Sequence, residues 1–512
     1  VLHRILLSTA LVVLSVAPVF AATSALVVGV DAYPHEVSLD GAVKDARDVA
    51  QALKAANVGT IRQFINEQAT KDAIRSAWSE LVAGAARGDT IVFTYAGHGA
   101  QVPELVAGSE DDGLDEFLEL PGFDRSRAEE TGKEIIVDNE LNAWFAEAEA
   151  KAIQVLFVSD SCFSGGMNRS ISGKTRLAPI VRAKVPPPSE EALEGAKEAE
   201  LSSVTILAAS LESQPTPEVV IGGEPRGALS WSFARALEGA ADRDGDGRIS
   251  RIELEDYVFS NVKLQSEALQ VPNFTPQLPR SDKEIVLSLP RSATIGATAT
   301  GEARTRLKSP REMGWTGKLA LSVAGAAPPL NNLGGNGVPY RWDAATGVFY
   351  TPNGDVAGEH IAPEMLQGAV DKFILVDFLK TLAAQSPGSV SLAPLKDIYA
   401  AGDRLNFKAA QGDYANMLVF NLANTGEAQL LDAQIAGSGS HPFQLQGLEV
   451  VKPFGADHLV VISTNTPIDA IAAAFTNSKL DAAALLRLLE TRLEGSDSTV
   501  AIQPLYTRER GQ

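Results

Sequence analysis

Four short apolar runs punctuate the first half of the chain: Ala25–Val30, Thr90–Tyr95, Ile153–Ser159 and Val204–Ala209. Between them apolar residues recur at helical spacing, as in Val43, Ala46, Val49 and Leu53, and again in Ala73, Ala77, Leu81 and Val82. Continuous apolar runs of strand length suit strands covered on both faces. Strands of that kind alternating with helices predict an α/β fold, an α/β/α sandwich built on a mostly parallel sheet with right-handed crossovers. Trp231–Leu237 and Leu254–Val258 are expected as later helices of the same unit.

Composition narrows the function classes. The 512 residues suffice for two to four domains. Acidic residues outnumber basic ones by 64 to 44, a net charge of −20. Such a chain repels a phosphate backbone, which argues against nucleic acid or an anionic membrane surface as the main partner. A single cysteine excludes an intramolecular disulfide and a cysteine-built zinc or iron–sulfur site. His3 and Arg4 precede an apolar run from Ile5 to Ala22, with Val19-Phe20-Ala21 at a cleavage-compatible position. We expect residues 1–22 to be a signal peptide and the protein to be exported, periplasmic or secreted. A retained anchor and a buried first strand are the alternative uses of that run.

The expected organisation is a first unit over 23–290, a connecting region over 291–388, and a β-rich, sandwich-like unit over 389–512 that carries a C-terminal helix. Within the first unit, a large segment (about 23–166) is separated from a small segment (202–290) by a linker over 167–201. That linker carries Arg169, Lys174, Arg176, Arg182 and Lys184, then Pro186-Pro187-Pro188 and acidic residues, and reads as an exposed or mobile loop. In the C-terminal unit, strands are expected at Arg404–Lys408, Ala415–Phe420, Leu448–Val451 and Leu459–Ser463. A helix follows, with Ser478 and Asp481 placed to cap it.

Chemistry concentrates at two predicted strand ends. One strand runs into Ala96-Gly97-His98-Gly99, the other into Asp160-Ser161-Cys162-Phe163-Ser164-Gly165. Open α/β sheets build their sites just past the carboxyl ends of their strands. A thiolate there can attack a carbonyl carbon while an imidazole handles the proton. Small neighbours let backbone N–H groups approach a developing oxyanion, and the Gly99 and Cys162 N–H groups are the candidate donors. Taken singly, a cysteine is commonly a small buried hydrophobe and a histidine an ordinary core residue. Their joint placement is what points to chemistry.

Tyr95-Ala96-Gly97-His98-Gly99 together with Asp160-Ser161-Cys162-Phe163-Ser164-Gly165 resembles the caspase-like fold, in its metacaspase and bacterial caspase-like peptidase branch. The resemblance runs over about Ala25–Leu289 and includes Gly41–Asp48 and Leu229-Ser230-Trp231-Ser232-Phe233. It implies a cysteine-type endopeptidase, a hydrolase, with Cys162 as nucleophile and His98 as general base, a dyad that requires no third catalytic residue. Cys162 lies 64 residues after His98, which suits the family's layout, and the cysteine is not set in the Gln-Ala-Cys signature of animal caspases.

The resemblance also implies an acidic pocket that binds arginine or lysine at the cleaved position. Asp45 and Asp160 stand at the matching positions, and paired carboxylates suit a guanidinium through charge-assisted hydrogen bonds. A helix-start carboxylate and a turn residue are their alternative uses. Substrates are then proteins or peptides with basic residues. The basic residues at 167–188 become candidates for self-cleavage, the alternative being a solvated loop with ordinary charges.

Asp242-Arg243-Asp244-Gly245-Asp246-Gly247-Arg248-Ile249-Ser250-Arg251-Ile252-Glu253 has the spacing of an EF-hand loop. Asp242, Asp244 and Asp246 are expected to give side-chain oxygens to Ca2+, Arg248 its carbonyl, and Glu253 a bidentate carboxylate; no organic cofactor is expected. Asp138 matches part of a second calcium site in metacaspases. However, Asn139 and Arg169 stand where that site has acids, and the stretch Glu110–Glu119 reads as a solvated loop. Residues Ser391–Ile468 resemble a β-rich domain of unknown function that follows bacterial caspase-like domains, with no partner indicated. His441 and His458 read there as loop or core residues. The rival to the peptidase is a non-catalytic, calcium-braced scaffold with the same fold.

Overall fold

The computed structural model describes residues 21–110, 112–162, 174–182, 185–193, 201–210, 216–244, 246–267, 270–276, 285–288, 306–335, 339–352, 354–409, 413–435 and 443–511. The expected signal sequence, apart from its last two positions, lies outside them, as do Arg169, Lys184 and His441. Among the described residues no helix is long and apolar enough to cross a membrane.

The first unit opens with β1 (Thr23–Gly29), α1 (Ala42–Ala55), β2 (Thr60–Ile65), α2 (Lys71–Gly84) and β3 (Thr90–Ala96). A small antiparallel sheet follows, made of β4 (Gly99–Pro103), β5 (Leu114–Glu119) and β6 (Ile135–Val137), with the short helix α3 (Ala128–Thr131) before β6. Then come α4 (Asp138–Ala150), β7 (Gln154–Asp160), β8 (Val204–Ala208) and a hairpin of β9 (Glu218–Ile221) and β10 (Glu224–Gly227). The unit ends with α5 (Ala228–Arg235), β11 (Arg248–Ser250), α6 (Arg251–Gln265), β12 (Asn273–Thr275) and β13 (Ile285–Ser288). The main sheet has six strands in the order β12-β8-β7-β3-β1-β2, parallel except for β12.

The continuous apolar runs are explained by this sheet. Side chains alternate between faces along a strand. In β1, Ala25 and Val27 face a layer containing Val49, Leu53, Phe233 and Val258, while Leu26 and Val28 face Ile74, Trp78 and Trp144. Both faces are therefore dry, and each large side chain buried there contributes about 1.5–3 kcal/mol. On the second face the rings of Phe93 and Phe157 lie 5.1 Å apart and those of Trp78 and Phe145 5.7 Å. The register of this core decides the site. Ala96 at the end of β3 pairs with Asp160 at the end of β7. His98 and Cys162, two residues further along each strand, leave the sheet at the same edge.

The C-terminal unit is β-rich, as expected. A three-stranded sheet (Val390–Ala393, Arg404–Ala409, Phe443–Glu449) packs on a six-stranded one whose centre is Ser498–Arg508, Ala456–Thr464 and Asn416–Leu422. Leu405, Phe407 and Ala409 point inward and their neighbours outward, the period-2 pattern of a half-buried strand. Two details differ from the sequence reading. Asp481 caps the last helix by accepting from Ala484 N, whereas Ser478 sits in the turn before it with φ 62. The stretch read as a connection contains α7 (Leu366–Gln385), whose Phe373, Leu375, Phe378 and Leu382 share a core with Leu418, Val460 and Leu489. α7 is apolar on nearly every side, so it lacks the one-faced period that marks a surface helix. The two units touch where α6 meets strand Ser498–Arg508, and Ser260 Oγ donates to Gln503 Oε1 at 2.8 Å.

Candidate active site

His98 is held at both ends of its own backbone. Its N–H donates to Tyr33 Oη at 2.8 Å, and its carbonyl lies 2.8 Å from Tyr95 Oη. A side chain at position 97 would run into both tyrosine hydroxyls, which explains the glycine there. The His98 ring is 4.6 Å from that of Tyr33, and its Nε2 lies 2.6 Å from the Val37 carbonyl. A carbonyl only accepts, so Nε2 carries the proton of the neutral ring and the lone pair rests on Nδ1. Burial lowers the His98 pKa despite the Val37 carbonyl and nearby Glu36, so the ring is neutral at pH 7. The Val37 carbonyl thus acts as an orienting group for the ring. Being backbone, it left no mark in the residue types.

The linker is the main departure from expectation. Read as an exposed loop, its described part is threaded through the site instead. Arg176 is fully buried. Its guanidinium bonds Asp45 Oδ2 and meets Asp160 Oδ2 at 3.0 Å, with Glu218 at 3.7 Å. The three carboxylates hold the guanidinium charged and raise its pKa against the cost of burial. Burial pushes Asp45 up to about 7, with Asp160 adding to the rise and Arg176 opposing it. Asp45 comes from the first turn of α1 and Asp160 from the end of β7, so helix and strand together set their spacing. Glu218 and Gly227 complete the pocket and have no local sequence signal. A Cβ at Gly227 would collide with both Asp160 and Arg176, so only glycine leaves room for the guanidinium.

The backbone of this segment is equally defined. The Arg176 carbonyl accepts from Gly99 N at 3.1 Å and from Cys162 N at 3.3 Å. These are the two N–H groups singled out as oxyanion donors. Arg176 N donates to Thr216 O and Glu218 N to Lys174 O, both at 2.9 Å. Lys174–Arg176 therefore lies as an added antiparallel strand beside residues 216–218, with Thr175 facing Pro217. Beyond Arg176 the chain follows β4, with Ala178 N donating to Gly99 O and Val181 N to Gln101 O. Ala178, Val181 and Val185 are buried against Val102, Phe117 and Val137. Apolar burial outweighs the solvation expected of a charged linker, because Lys174 and Arg176 find carboxylates and the apolar residues find a cluster.

Two acidic clusters could hold a metal ion. In the first, Asp242, Asp244 and Asp246 converge within 4.8 Å. Glu253 is not among them: its Oε2 caps α6 by accepting from Ser250 N at 2.9 Å, and its Oε1 accepts from Arg243 N at 3.1 Å. Arg248 begins β11, which pairs with β13 rather than with a second loop of its kind. In the second, Glu110, Asp115 and Asp138 converge. The stretch read as a solvated loop is thus partly strand β5, with Asp115 fully buried. Burial raises Asp138 well above the usual carboxylate range, and Glu116, Asp115 and Glu110 add to it. Three carboxylates in one place form a donor set of hard oxygens that fits a hard cation. Beside them is a cavity of about 120 Å3 bordered by Asp138, Phe157, Ser159 and Ser210; Arg176 does not line it.

Comparison with known proteins places the N-terminal part in a family. Residues 23–169 match the metacaspase, peptidase C14 domain. Metacaspase-1A of Aspergillus clavatus is 26% identical over 258 residues, covering 42% of this chain and 58% of that protein. Metacaspase-1 of Pyricularia oryzae is 29% identical over 150 residues, covering 28% of this chain and 36% of that protein. The match thus spans little more than half the length of the first relative and about a third of the second. Among solved structures, protein GSU0716 from Geobacter sulfurreducens is 21% identical with a TM-score of 0.38, covering 53% of this chain and 98% of that one. The Drosophila initiator caspase Dronc is 12% identical with a TM-score of 0.30, covering 52% and 81%. The N-terminal part of this chain is accordingly a caspase-like domain of the metacaspase family, peptidase C14.

Proposed function

We propose that the chain is an exported cysteine endopeptidase that hydrolyses peptide bonds after arginine or lysine through a His98/Cys162 dyad. One observation carries this reading. An arginine sits between Asp45 and Asp160 while its carbonyl oxygen receives the Gly99 and Cys162 N–H groups. A substrate arginine in that position presents its carbonyl carbon beside the thiol. The Cys162 thiolate attacks that carbon, the oxygen becomes an oxyanion bonded by the two N–H groups, and the C–N bond breaks. His98 takes the thiol proton and gives it to the leaving amine. Water, deprotonated by His98, then opens the thioester and restores the thiol. Arg176 itself occupies the position of the residue to be cut, so the intact chain is latent.

The test is hydrolysis of fluorogenic peptides ending in Arg, Lys or Asp by the chain from Thr23 onward after incubation with Ca2+, with Cys162→Ala as control. Turnover after Arg and Lys, lost by on the order of 10⁴-fold or more in the variant, is expected. Turnover after Asp alone would sink the acidic pocket, and no turnover at all would favour the scaffold.

Calcium is the cation we assign to the acidic clusters, since both offer only hard oxygen ligands. Without it, folding penalises the ionised form of Asp138. Its raised pKa means this part of the stability is present at low pH and is lost as pH rises above the ordinary carboxylate range. Millimolar Ca2+ at pH 7 should raise the melting temperature by about 5 °C. Asp138→Asn and Asp244→Asn should each remove part of that response in a thermal melt. A melting temperature unmoved by Ca2+ would refute both sites.

A further inference from the structure

The added strand places a second basic side chain against a second acid. Side chains two apart on a strand fall on the same side. With Arg176 in the pocket, Lys174 therefore falls on the same side, and its Nζ lies 2.8 Å from Asp40 Oδ2. Asp40 is not an isolated surface carboxylate. Its N–H donates to Glu218 Oε2 at 3.0 Å, and the next residue, Gly41, donates to Glu218 Oε1 at 2.7 Å. Glu218 also faces the guanidinium of Arg176, and its own N–H fixes the Lys174 carbonyl. One buried glutamate thus ties the backbone of Asp40 to the arginine pocket and to the strand that lies in it. The distance between the two acidic positions is set by the fold, not by the linker.

We infer that Asp40 is a specificity-determining residue that reads the side chain two positions before the cleaved residue. The preferred substrates are polypeptides with a basic–x–Arg segment. This rests on the reading that the arginine pocket is the cleavage site. A lysine or arginine at the earlier position gains the Asp40 carboxylate, and an acidic residue there meets Asp40 and the acids around it. Asp40 and Lys174 are both partly open to solvent, so the gain is that of a half-exposed ion pair, about two- to fivefold in kcat/KM. It resides in KM, because the contact is made in the bound substrate and in the transition state alike.

The test uses the full chain, incubated with Ca2+ until it is cut after Arg176, and three fluorogenic peptides ending Lys-Thr-Arg, Gln-Thr-Arg and Glu-Thr-Arg. The quantity read is the ratio of kcat/KM values within each enzyme, which does not depend on the fraction folded. In the unaltered chain Lys-Thr-Arg should exceed Gln-Thr-Arg about threefold, chiefly through KM. The advantage should shrink in about 0.5 M salt, where exposed charges are screened. In Asp40→Asn the ratio should fall to near one, and in Asp40→Lys the Glu-Thr-Arg peptide should become the better substrate. Equal cleavage of all three peptides by the unaltered chain, or ratios unmoved by Asp40→Lys, would overturn the role of Asp40 while leaving the arginine pocket standing. Failure to cleave any of the three would overturn the pocket reading, and this one with it.

Discussion

Incubated with Ca2+, the purified chain is expected to cut itself first between Arg176 and Leu177, giving a new amino terminus at Leu177. The bond is already placed: guanidinium between Asp45 and Asp160, carbonyl on the Gly99 and Cys162 N–H groups. Cys162→Ala should leave the chain intact, a loss on the order of 10⁴-fold or more. Arg176→Gln should slow cutting at that bond by about two orders of magnitude, since a buried charged pair is replaced by a neutral amide. Arg182→Gln, outside the pocket, should leave the first cut where it is. The two pieces should stay together on a sizing column and separate only in denaturant. Ala178, Val181 and Val185 remain packed, and the hydrogen bonds to Gly99 and Gln101 remain made. Amino-terminal sequencing of the fragments decides the matter. A first cut elsewhere in 167–188, or a Cys162→Ala chain cut equally fast, would refute the assignment.

The second large effect is on stability. In the intact form, kept intact by Cys162→Ala, replacing Asp160 with Asn should destabilise the chain by about 1–3 kcal/mol, because the fully buried Arg176 guanidinium loses one of its three carboxylates and keeps Asp45 and Glu218. Adding Arg176→Met to that variant should not restore the loss, since Asp45 and Glu218 are then left buried without the guanidinium they share. Urea denaturation of the single and double variants measures this. If Asp160→Asn costs less than about 1 kcal/mol, Arg176 is not held in the pocket as a buried ion. The same substitution should also weaken turnover of arginine peptides in the processed enzyme, and a lysine peptide should be affected in the same sense.

These two results concern residues that stood out in the sequence for different reasons. His98 and Cys162 were legible because each directly follows a continuous apolar run. A parallel sheet buried on both faces forces such runs into register, and register places their ends together. Asp45 and Asp160 were legible only through the resemblance to metacaspases, since a lone carboxylate at a helix start or strand end has ordinary uses. The aspartates of the EF-hand-like loop were legible from spacing, because a loop that wraps one ion must supply oxygens at fixed intervals. Spacing did not reveal that Glu253 is engaged in capping α6.

By itself, then, the sequence determined the α/β order of the first unit, the β-rich character of the last, the placement of His98 and Cys162 just past neighbouring strand ends, and the acidic loop. Each depends on interactions between near neighbours, or on a hydrophobic period that a strand must obey. Only the tertiary structure decided what the linker does. Its charges suggested solvent, yet Arg176 is buried because three carboxylates from α1, β7 and β9 converge on one point. It also decided the roles of Val37, Glu218 and Gly227, which act through a backbone carbonyl, a long-range clamp and an absent side chain. None of these is a property of residues adjacent in the chain. Each exists only once distant segments meet, and that meeting is set by the packing of the whole sheet.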